Sequence, residues 1–289
     1  MKLDIIWNIT LICPWNCEFC CTDAAHVKTY NDKIIISDQS FNRETVINSE
    51  TALIFKNRYP NIKPSKFDLA LIDRQEKGIE PSFKEKISIL ENLKGNDVTI
   101  DFAGGDPLAC YENYLLIKEA ARYFGKNNIS ITSTGHSLSR YNIFDIASII
   151  GEFEFTYDES TVVNDSTRPK GYNNSNIQYA KKFSSLGIRT KAQIPIHENN
   201  IRPEEISEIY SILNNARIDE ILLMRTFPVG RGDKFLKKTS ITKGNIIECI
   251  KTFRHHEATG NTSVRLQCAL KKLDENTKTN PCDMVSKSF

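Results

Sequence analysis

The sequence predicts an α/β fold: a partial, TIM-like (β/α)6 barrel that carries a small C-terminal appendage. One observation is the alternation of apolar, β-rich segments with segments of helical periodicity, which is typical of βαβ units in a mainly parallel sheet. A second is that cysteines, a glycine pair and charged residues follow the ends of the strands. Because the carboxyl ends of parallel strands meet on one rim, we expect the functional site there.

Six strands, connected through helices, make up the predicted barrel. The strands are expected at 3–12, 97–102, 128–133, 152–157, 188–196 and 218–227. The helices are expected at 83–93, 112–124, 142–150, 177–186, 203–213 and 242–253, where apolar residues recur with the period of a helix. Gly125 and Gly187 follow two of these helices, at the position where glycine commonly ends a helix.

Two regions lie outside this alternation. Residues 22–83 are polar and weakly patterned, with helices expected only at 50–55 and 67–76, and we interpret them as an insertion into a core domain that spans 1–240. A loop of this length is often functional, but a peripheral embellishment is the alternative. Residues 241–289 form a C-terminal extension with a further strand at 263–270.

Composition and charge exclude several classes of function. The chain has 289 residues, of which 40% are hydrophobic and 26% charged, as in ordinary globular proteins. Its formal net charge of +2 gives no electrostatic reason to expect nucleic acid or an anionic membrane as a partner. The first residues lack the pattern of a signal peptide, and no apolar stretch approaches the roughly 18 residues of a membrane span. We therefore expect a cytoplasmic protein.

The cysteines point to metal or redox chemistry. Of eight in the chain, four lie within residues 13–21, and clustered thiols in a reducing compartment bind metal more often than they form disulfides. Cys13, Cys17 and Cys20 form a CxxxCxxC motif. Soft thiolates select iron–sulfur clusters or zinc, and a structural zinc site needs four protein ligands. Three thiolates on a four-iron cluster would leave one iron open to another ligand; a zinc knuckle is the alternative.

This motif resembles the signature of the radical S-adenosylmethionine (SAM) superfamily, in which an aromatic residue, here Phe19, precedes the last cysteine and the motif follows the first strand. The resemblance implies that Cys13, Cys17 and Cys20 bind a [4Fe-4S] cluster whose fourth iron is chelated by the amino and carboxylate groups of SAM. It also implies reductive cleavage of SAM to a 5′-deoxyadenosyl radical that abstracts hydrogen, with an electron donor such as flavodoxin or ferredoxin.

Motifs at later strand ends extend the resemblance. Gly104, Gly105 and Asp106, followed by proline, match the family's second motif, and glycine at a strand end lets a ligand approach the backbone closely. Thr156 and Asp158, with Arg168 and Gly171 downstream, resemble the branch that includes peptide-modifying enzymes and the molybdopterin-precursor cyclase. By the same resemblance, Ser133 or Thr156 is expected to contact SAM, and Arg225 to bind a carboxylate. For each single residue, a solvated polar group or a salt bridge is the alternative.

Two functional roles are considered for the remaining cysteines. In that branch, C-terminal cysteines often bind an auxiliary cluster in SPASM or twitch domains, so Cys268 and Cys282 are candidate ligands in a truncated or degenerate domain of this type. Cys110 and Cys249 are candidate hydrogen-atom donors to a substrate radical, as in radical SAM epimerases. A small buried apolar residue is the alternative for each of these two.

Three functions follow from these observations. The first is a radical SAM enzyme that modifies a ribosomally made peptide. The second is a radical SAM enzyme that acts on a small metabolite such as a sugar or a cofactor precursor. The third is a non-catalytic iron–sulfur or zinc protein that binds a partner, against which the glycine pair at the second strand end argues.

Overall fold

The computed structural model of the protein describes residues 2–38, 42–160 and 168–274. Its strands are β1 Leu3–Thr10, β2 Ile12–Cys13, β3 Ala25–Tyr30, β4 Lys33–Asp38, β5 Arg43–Val46, β6 Val98–Gly104, β7 Ile129–Thr132, β8 Glu152–Thr156, β9 Arg189–Ile196, β10 Glu220–Arg225 and β11 Ser263–Leu266. Its helices are α1 Thr51–Arg58, α2 Lys66–Glu76, α3 Phe83–Leu93, α4 Tyr111–Phe124, α5 Gly135–Leu138, α6 Ile143–Ala147, α7 Tyr172–Ser185, α8 Pro203–Asn215, α9 Arg231–Leu236, α10 Lys243–Glu257 and α11 Cys268–Lys271.

The main sheet has seven parallel strands in the order β1-β6-β7-β8-β9-β10-β11. Its first six strands lie where the sequence predicts the barrel strands, and helices connect them, so the partial (β/α)6 barrel is confirmed. The strand expected in the C-terminal extension is β11, which adds to the same sheet beside β10. The extension therefore begins by continuing the barrel.

One face of this sheet packs against the helices and forms the core. In β8, Phe153 and Phe155 are fully buried, and the Phe153 ring lies 4.8 Å from Phe183 of α7. The buried residues of α8 include Ile206, Ile209 and Leu213, whose spacing places them on one helical face. Side chains alternate along each strand, so the residues between these apolar positions point to the other, concave face.

The region 22–83 is more regular than the sequence predicts. The helices expected at 50–55 and 67–76 are present as α1 and α2, but a second sheet of order β2-β3-β4-β5 was not predicted. Strands β3 and β4 form a hairpin whose two turn residues, Asn31 and Asp32, both have positive φ, as two-residue hairpin turns require. This Asn-Asp pair between β-rich segments is the local signal that could have revealed the hairpin.

The predicted first strand, 3–12, divides into β1 and β2 because the chain changes sheets. Strand β1 pairs with β6, whereas β2 pairs with β3 of the second sheet. The Glu80 carboxylate holds the transition, since it accepts hydrogen bonds from Thr10 Oγ1 at 2.8 Å and from the Leu11 backbone N–H at 3.0 Å. This change of direction carries Cys13 to the mouth of the barrel.

Helix α7 begins at Tyr172, five residues before its predicted start at 177. Its first turns are rich in asparagine, which has poor helix propensity, so the sequence alone did not indicate a helix. Asn176 is buried, accepts a hydrogen bond from the Gly135 N–H at 2.9 Å and donates one to Thr156 O at 2.9 Å. These tertiary hydrogen bonds tie α7 to the ends of β7 and β8.

Among the described residues, no helix combines the length and apolar character that crossing a bilayer requires.

Candidate active site

A cavity of about 280 Å³ opens at the carboxyl ends of the main-sheet strands. Cys13, Cys17 and Cys20 all line it, together with Gly104 and Gly105. The structure therefore brings together two motifs that are more than eighty residues apart in the sequence. The rim predicted from strand-end residues is the place where this cavity lies.

The three thiols of the motif lie in a hydrogen-bonded loop. The Trp15 N–H donates to Cys13 Sγ at 3.4 Å and the Ala24 N–H to Cys20 Sγ at 3.5 Å. Burial raises the pKa of Cys13 well above its ordinary value, and the charges of Asp106 and Cys17 raise that pKa further. Burial also raises the pKa of Cys17, although Arg168 opposes this shift. Such thiols ionise together only when a cation compensates their charge.

A fourth cysteine, Cys21, also lines the cavity but is exposed. Within the part of the chain that the structure describes, no three His, Cys, Asp or Glu side chains form a site for a single metal ion. In a four-iron cluster each thiolate binds a different iron, so the three sulfurs line a space rather than converge on one point. Cys13, Cys17 and Cys20 all line the cavity.

The glycine pair lets the end of β6 lie directly against the strand that leads into the motif. The Gly105 N–H donates to Thr10 O at 2.7 Å, and the Asp106 N–H donates to Ile12 O at 2.8 Å. A Cβ on Gly105 would lie 2.7 Å from the Ile12 carbonyl carbon and 2.8 Å from that of Leu11. Gly104 has φ of +124°, a conformation that favours glycine. These contacts hold Cys13 beside the second motif.

Asp106 does not line the cavity, although the sequence predicts that it binds the cofactor. It is fully buried and accepts hydrogen bonds from Ser133 Oγ at 2.6 Å and Thr134 Oγ1 at 2.5 Å. Thr134 Oγ1 in turn accepts one from Trp15 Nε1 at 3.1 Å. Asp106 is therefore a positioning residue that connects the end of β7 to the cysteine loop. The sequence contains no local signal for Thr134 or Trp15 as parts of this connection.

Ser133 and Thr156, the two hydroxyl residues predicted to contact SAM, both line the cavity. Asp158 does not; it is fully buried and forms an ion pair with Arg168, whose terminal nitrogen lies 2.8 Å from the carboxylate. The Arg168 guanidinium lines the cavity instead, 4.3 Å from the Phe19 ring centroid and 4.7 Å from that of Tyr172. Asp158 thus orients a cation at the cavity wall.

Two arginines that follow one another at and after the end of β10 differ in their burial and contacts. Arg225, the predicted carboxylate ligand, lines the cavity and is exposed. Arg231 also lines it, but its guanidinium is buried and donates to Cys17 O at 2.8 Å and to Ala24 O at 3.0 Å. Its backbone N–H donates to Cys20 O at 3.1 Å. Nothing in the local sequence around Arg231 predicts these contacts with the cysteine loop.

Arg231→Ala is expected to weaken the cysteine loop. The change leaves two carbonyls without their donors and opens space beneath the loop, so the free energy of unfolding should fall by about 2–4 kcal/mol. Urea unfolding measures this loss, and iron retained after anaerobic gel filtration should fall in parallel. Arg122→Ala, which removes an exposed arginine paired with Glu119, should change neither quantity. Equal stability of Arg231→Ala and the unmodified protein would contradict the role of Arg231.

The other cysteines lie away from the cavity. Cys110 and Cys249 are buried in packed apolar surroundings, and neither lines the cavity; Cys110 Sγ donates to Phe67 O at 3.4 Å. Both cysteines occupy the positions of core residues. These positions do not support their predicted role as hydrogen-atom donors. Cys268 is partly buried at the start of α11, and Cys282 lies outside the described residues. The auxiliary pair Cys268 and Cys282 stays a prediction.

Comparisons with known proteins show structures of similar fold at low sequence identity. No family model matches the sequence, and no curated protein does. Among solved structures, Streptococcus suis SuiB bound to S-adenosylmethionine is 15% identical with a TM-score of 0.64, and SuiB bound to its precursor peptide SuiA is 14% identical with a TM-score of 0.63. Each match covers 99% of this chain and 55% of SuiB.

The structure of native anSMEcpe with bound AdoMet is also similar, at 11% identity and a TM-score of 0.54, over 92% of this chain and 64% of that protein. SuiB and anSMEcpe are members of the radical SAM superfamily. The chain thus has the fold of radical SAM enzymes, and it spans little more than half the length of SuiB.

Proposed function

We propose that this protein is a radical SAM enzyme in which Cys13, Cys17 and Cys20 hold a [4Fe-4S] cluster. The observation that carries the proposal is the cavity at the strand ends, which the three thiols and the glycine pair line together. The thiolate donor set fits iron–sulfur chemistry. When bound, the cluster supplies the electron that cleaves SAM and so initiates removal of a hydrogen atom from the substrate.

The side chains around the thiols are suited to bind SAM and to exclude water. Ser133, Thr156 and Arg168 line the cavity, and the Arg168 guanidinium, which Asp158 holds in place, is a group that suits a carboxylate. Phe19 is buried, and Trp15 packs edge-on against Tyr172 with ring centroids 5.2 Å apart. These rings shield the thiols from solvent, which tunes the reduction potential of a bound cluster.

The proposed substrate is a ribosomally made peptide. SuiB has been solved with its precursor peptide, and anSMEcpe with a peptide as well as AdoMet. The cavity of this protein opens at the carboxyl ends of the main-sheet strands. A reduced flavodoxin or ferredoxin is the proposed electron donor. A short peptide encoded beside this protein's gene would support the assignment, whereas a small metabolite as substrate would limit the proposal to SAM cleavage.

Anaerobic purification followed by metal analysis and a cleavage assay tests the proposed function. We expect about four iron and four sulfide per chain, and 5′-deoxyadenosine on addition of dithionite and SAM, measured by liquid chromatography with mass detection. Zinc in place of iron would favour the non-catalytic binding protein. A full cluster that forms no 5′-deoxyadenosine would also contradict the proposal.

A further inference from the structure

The concave face of the main sheet is unusually polar. In closed (β/α)8 barrels, this face is filled by layers of Val, Ile and Leu. Here Thr132, Glu154, Lys191 and Glu220 are directly opposite one another on neighbouring strands β7 to β10. The interior below the cavity is therefore built from charged and hydroxyl groups rather than from an apolar core.

Nearly all of this charge is compensated within the protein. Lys191 Nζ lies 2.6 Å from carboxylate oxygens of both Glu152 and Glu154. Further down, Arg189 pairs with Glu152 and Glu220, and Arg265 also pairs with Glu220. Three glutamates thus face three cations, and the network is neutral as a set.

Asp101 of β6 is an acidic residue that forms no ion pair with the three cations of this network. Its carboxylate accepts hydrogen bonds from Ser130 Oγ at 3.3 Å and Thr132 Oγ1 at 3.1 Å, both uncharged donors. Across the described residues, no Lys, Arg or His nitrogen lies within 4.0 Å of it. Burial and the charge of Glu154 raise the pKa of Asp101 to about 7, although hydrogen bonds from Thr132 and Ser130 and the more distant charge of Lys191 oppose this shift. Unlike Glu154, Asp101 lines the cavity.

We propose that Asp101 binds a cationic group of the substrate, an ammonium or a guanidinium, at the inner end of the cavity. A partly buried carboxylate without a cation is unfavourable, and a cation from the ligand removes that cost while forming a charge-assisted hydrogen bond. This inference rests on the proposed function, because it names the chemistry of the substrate that the same cavity receives.

The surroundings of Asp101 favour an aliphatic chain that ends in the cation. Ile6 is the cross-strand neighbour of Asp101 on β1, lines the cavity and is 76% exposed. Pro195 and Met224, which oppose each other on β9 and β10, line the cavity as well. These side chains offer apolar contact to methylene groups, while Asp101 and Thr132 supply acceptors for the terminal nitrogen. A lysine side chain has this chemistry.

Two probes that differ only in the terminal ammonium group test the proposal: N-acetyl-lysine methylamide and N-acetyl-norleucine methylamide. Saturation-transfer NMR on the anaerobically purified full chain measures the binding of each. We expect the lysine probe to bind at least about 10-fold more tightly, as one charge-assisted hydrogen bond predicts. Asp101→Asn should abolish this preference and Asp101→Glu should restore part of it. Glu91→Gln, which removes a carboxylate from the exposed surface of α3 far from Asp101, should retain it.

Equal binding of the two probes by the unmodified protein would overturn the proposal, as would a lysine preference that persists in Asp101→Asn. Circular dichroism melting of each variant separates loss of binding from loss of folding. The NMR measurement uses no SAM cleavage, so its outcome is independent of the test of the proposed function. A protein that cleaves SAM but shows no lysine preference refutes only the role of Asp101.

Discussion

Cys17→Ala will abolish both the cluster and the cleavage of SAM. Iron and sulfide should fall to background after anaerobic reconstitution, and 5′-deoxyadenosine formation should fall at least about 100-fold, because a lost ligand costs more than the 10- to 100-fold typical of a residue that only supports one. The buried Cys17 thiol has a raised pKa and lines the cavity with two other thiols. Metal analysis, the absorbance of the cluster and the nucleoside assay measure these losses.

Cys21→Ala is the matched control for this prediction. Cys21 is adjacent in sequence to a motif cysteine and lines the same cavity, but it is exposed. We expect this variant to retain its iron and its SAM cleavage. If Cys17→Ala kept a full cluster, or if Cys21→Ala lost it, the assignment of Cys13, Cys17 and Cys20 as the ligands would be wrong.

Gly105→Ala will destabilise the protein and displace Cys13. The new methyl group would meet backbone atoms of Leu11 and Ile12 at 2.8 and 2.7 Å, and these atoms cannot move without shifting the strand that carries Cys13. Overpacking against backbone typically costs about 1–3 kcal/mol or more, so the free energy of unfolding should fall by about 3 kcal/mol. Urea unfolding measures the loss, and iron content should fall because one ligand is misplaced.

Gly244→Ala controls for the general effect of replacing glycine. A Cβ at this exposed position of α10 would lie 3.6 Å from Thr242 Oγ1, which is ordinary contact. Alanine has the higher helix propensity, so stability should stay equal or rise by up to about 1 kcal/mol. A Gly105→Ala protein as stable as Gly244→Ala would show that the close approach of β6 to the cysteine loop is not required.

Much of the fold is predictable because local patterns encode it. Strand β6 and helix α3 lie within one or two residues of their predicted places, since apolar periodicity and capping residues act over a few neighbours in the chain. The hairpin of β3 and β4 has a local signal in its Asn31-Asp32 turn, whereas its pairing with β2 joins residues that only tertiary structure brings together. Helix α7 begins early for the same reason, because its buried asparagines bond to distant backbone groups.

The candidate site likewise has features that its sequence motifs predict and features that they do not. The thiols of Cys13 and Cys17 and the backbone of Gly105 line the cavity as their motifs predict. Asp106 and Asp158 also belong to recognisable patterns, but they lie fully buried behind the cavity wall and orient other side chains. Spacing along the chain predicts that a residue is near the site; it does not predict which way its side chain points.

The residue types and their spacing are sufficient to indicate the chemistry, because three soft ligands within eight residues and a glycine pair at a strand end need no further context to be recognised. Burial, charge balance and hydrogen-bond partners depend instead on every element that packs around a group. The tertiary structure alone therefore shows that Arg231 supports the cysteine loop and that Asp101 forms no ion pair with a cation of the described residues. Both properties arise from contacts between residues that lie far apart in the chain.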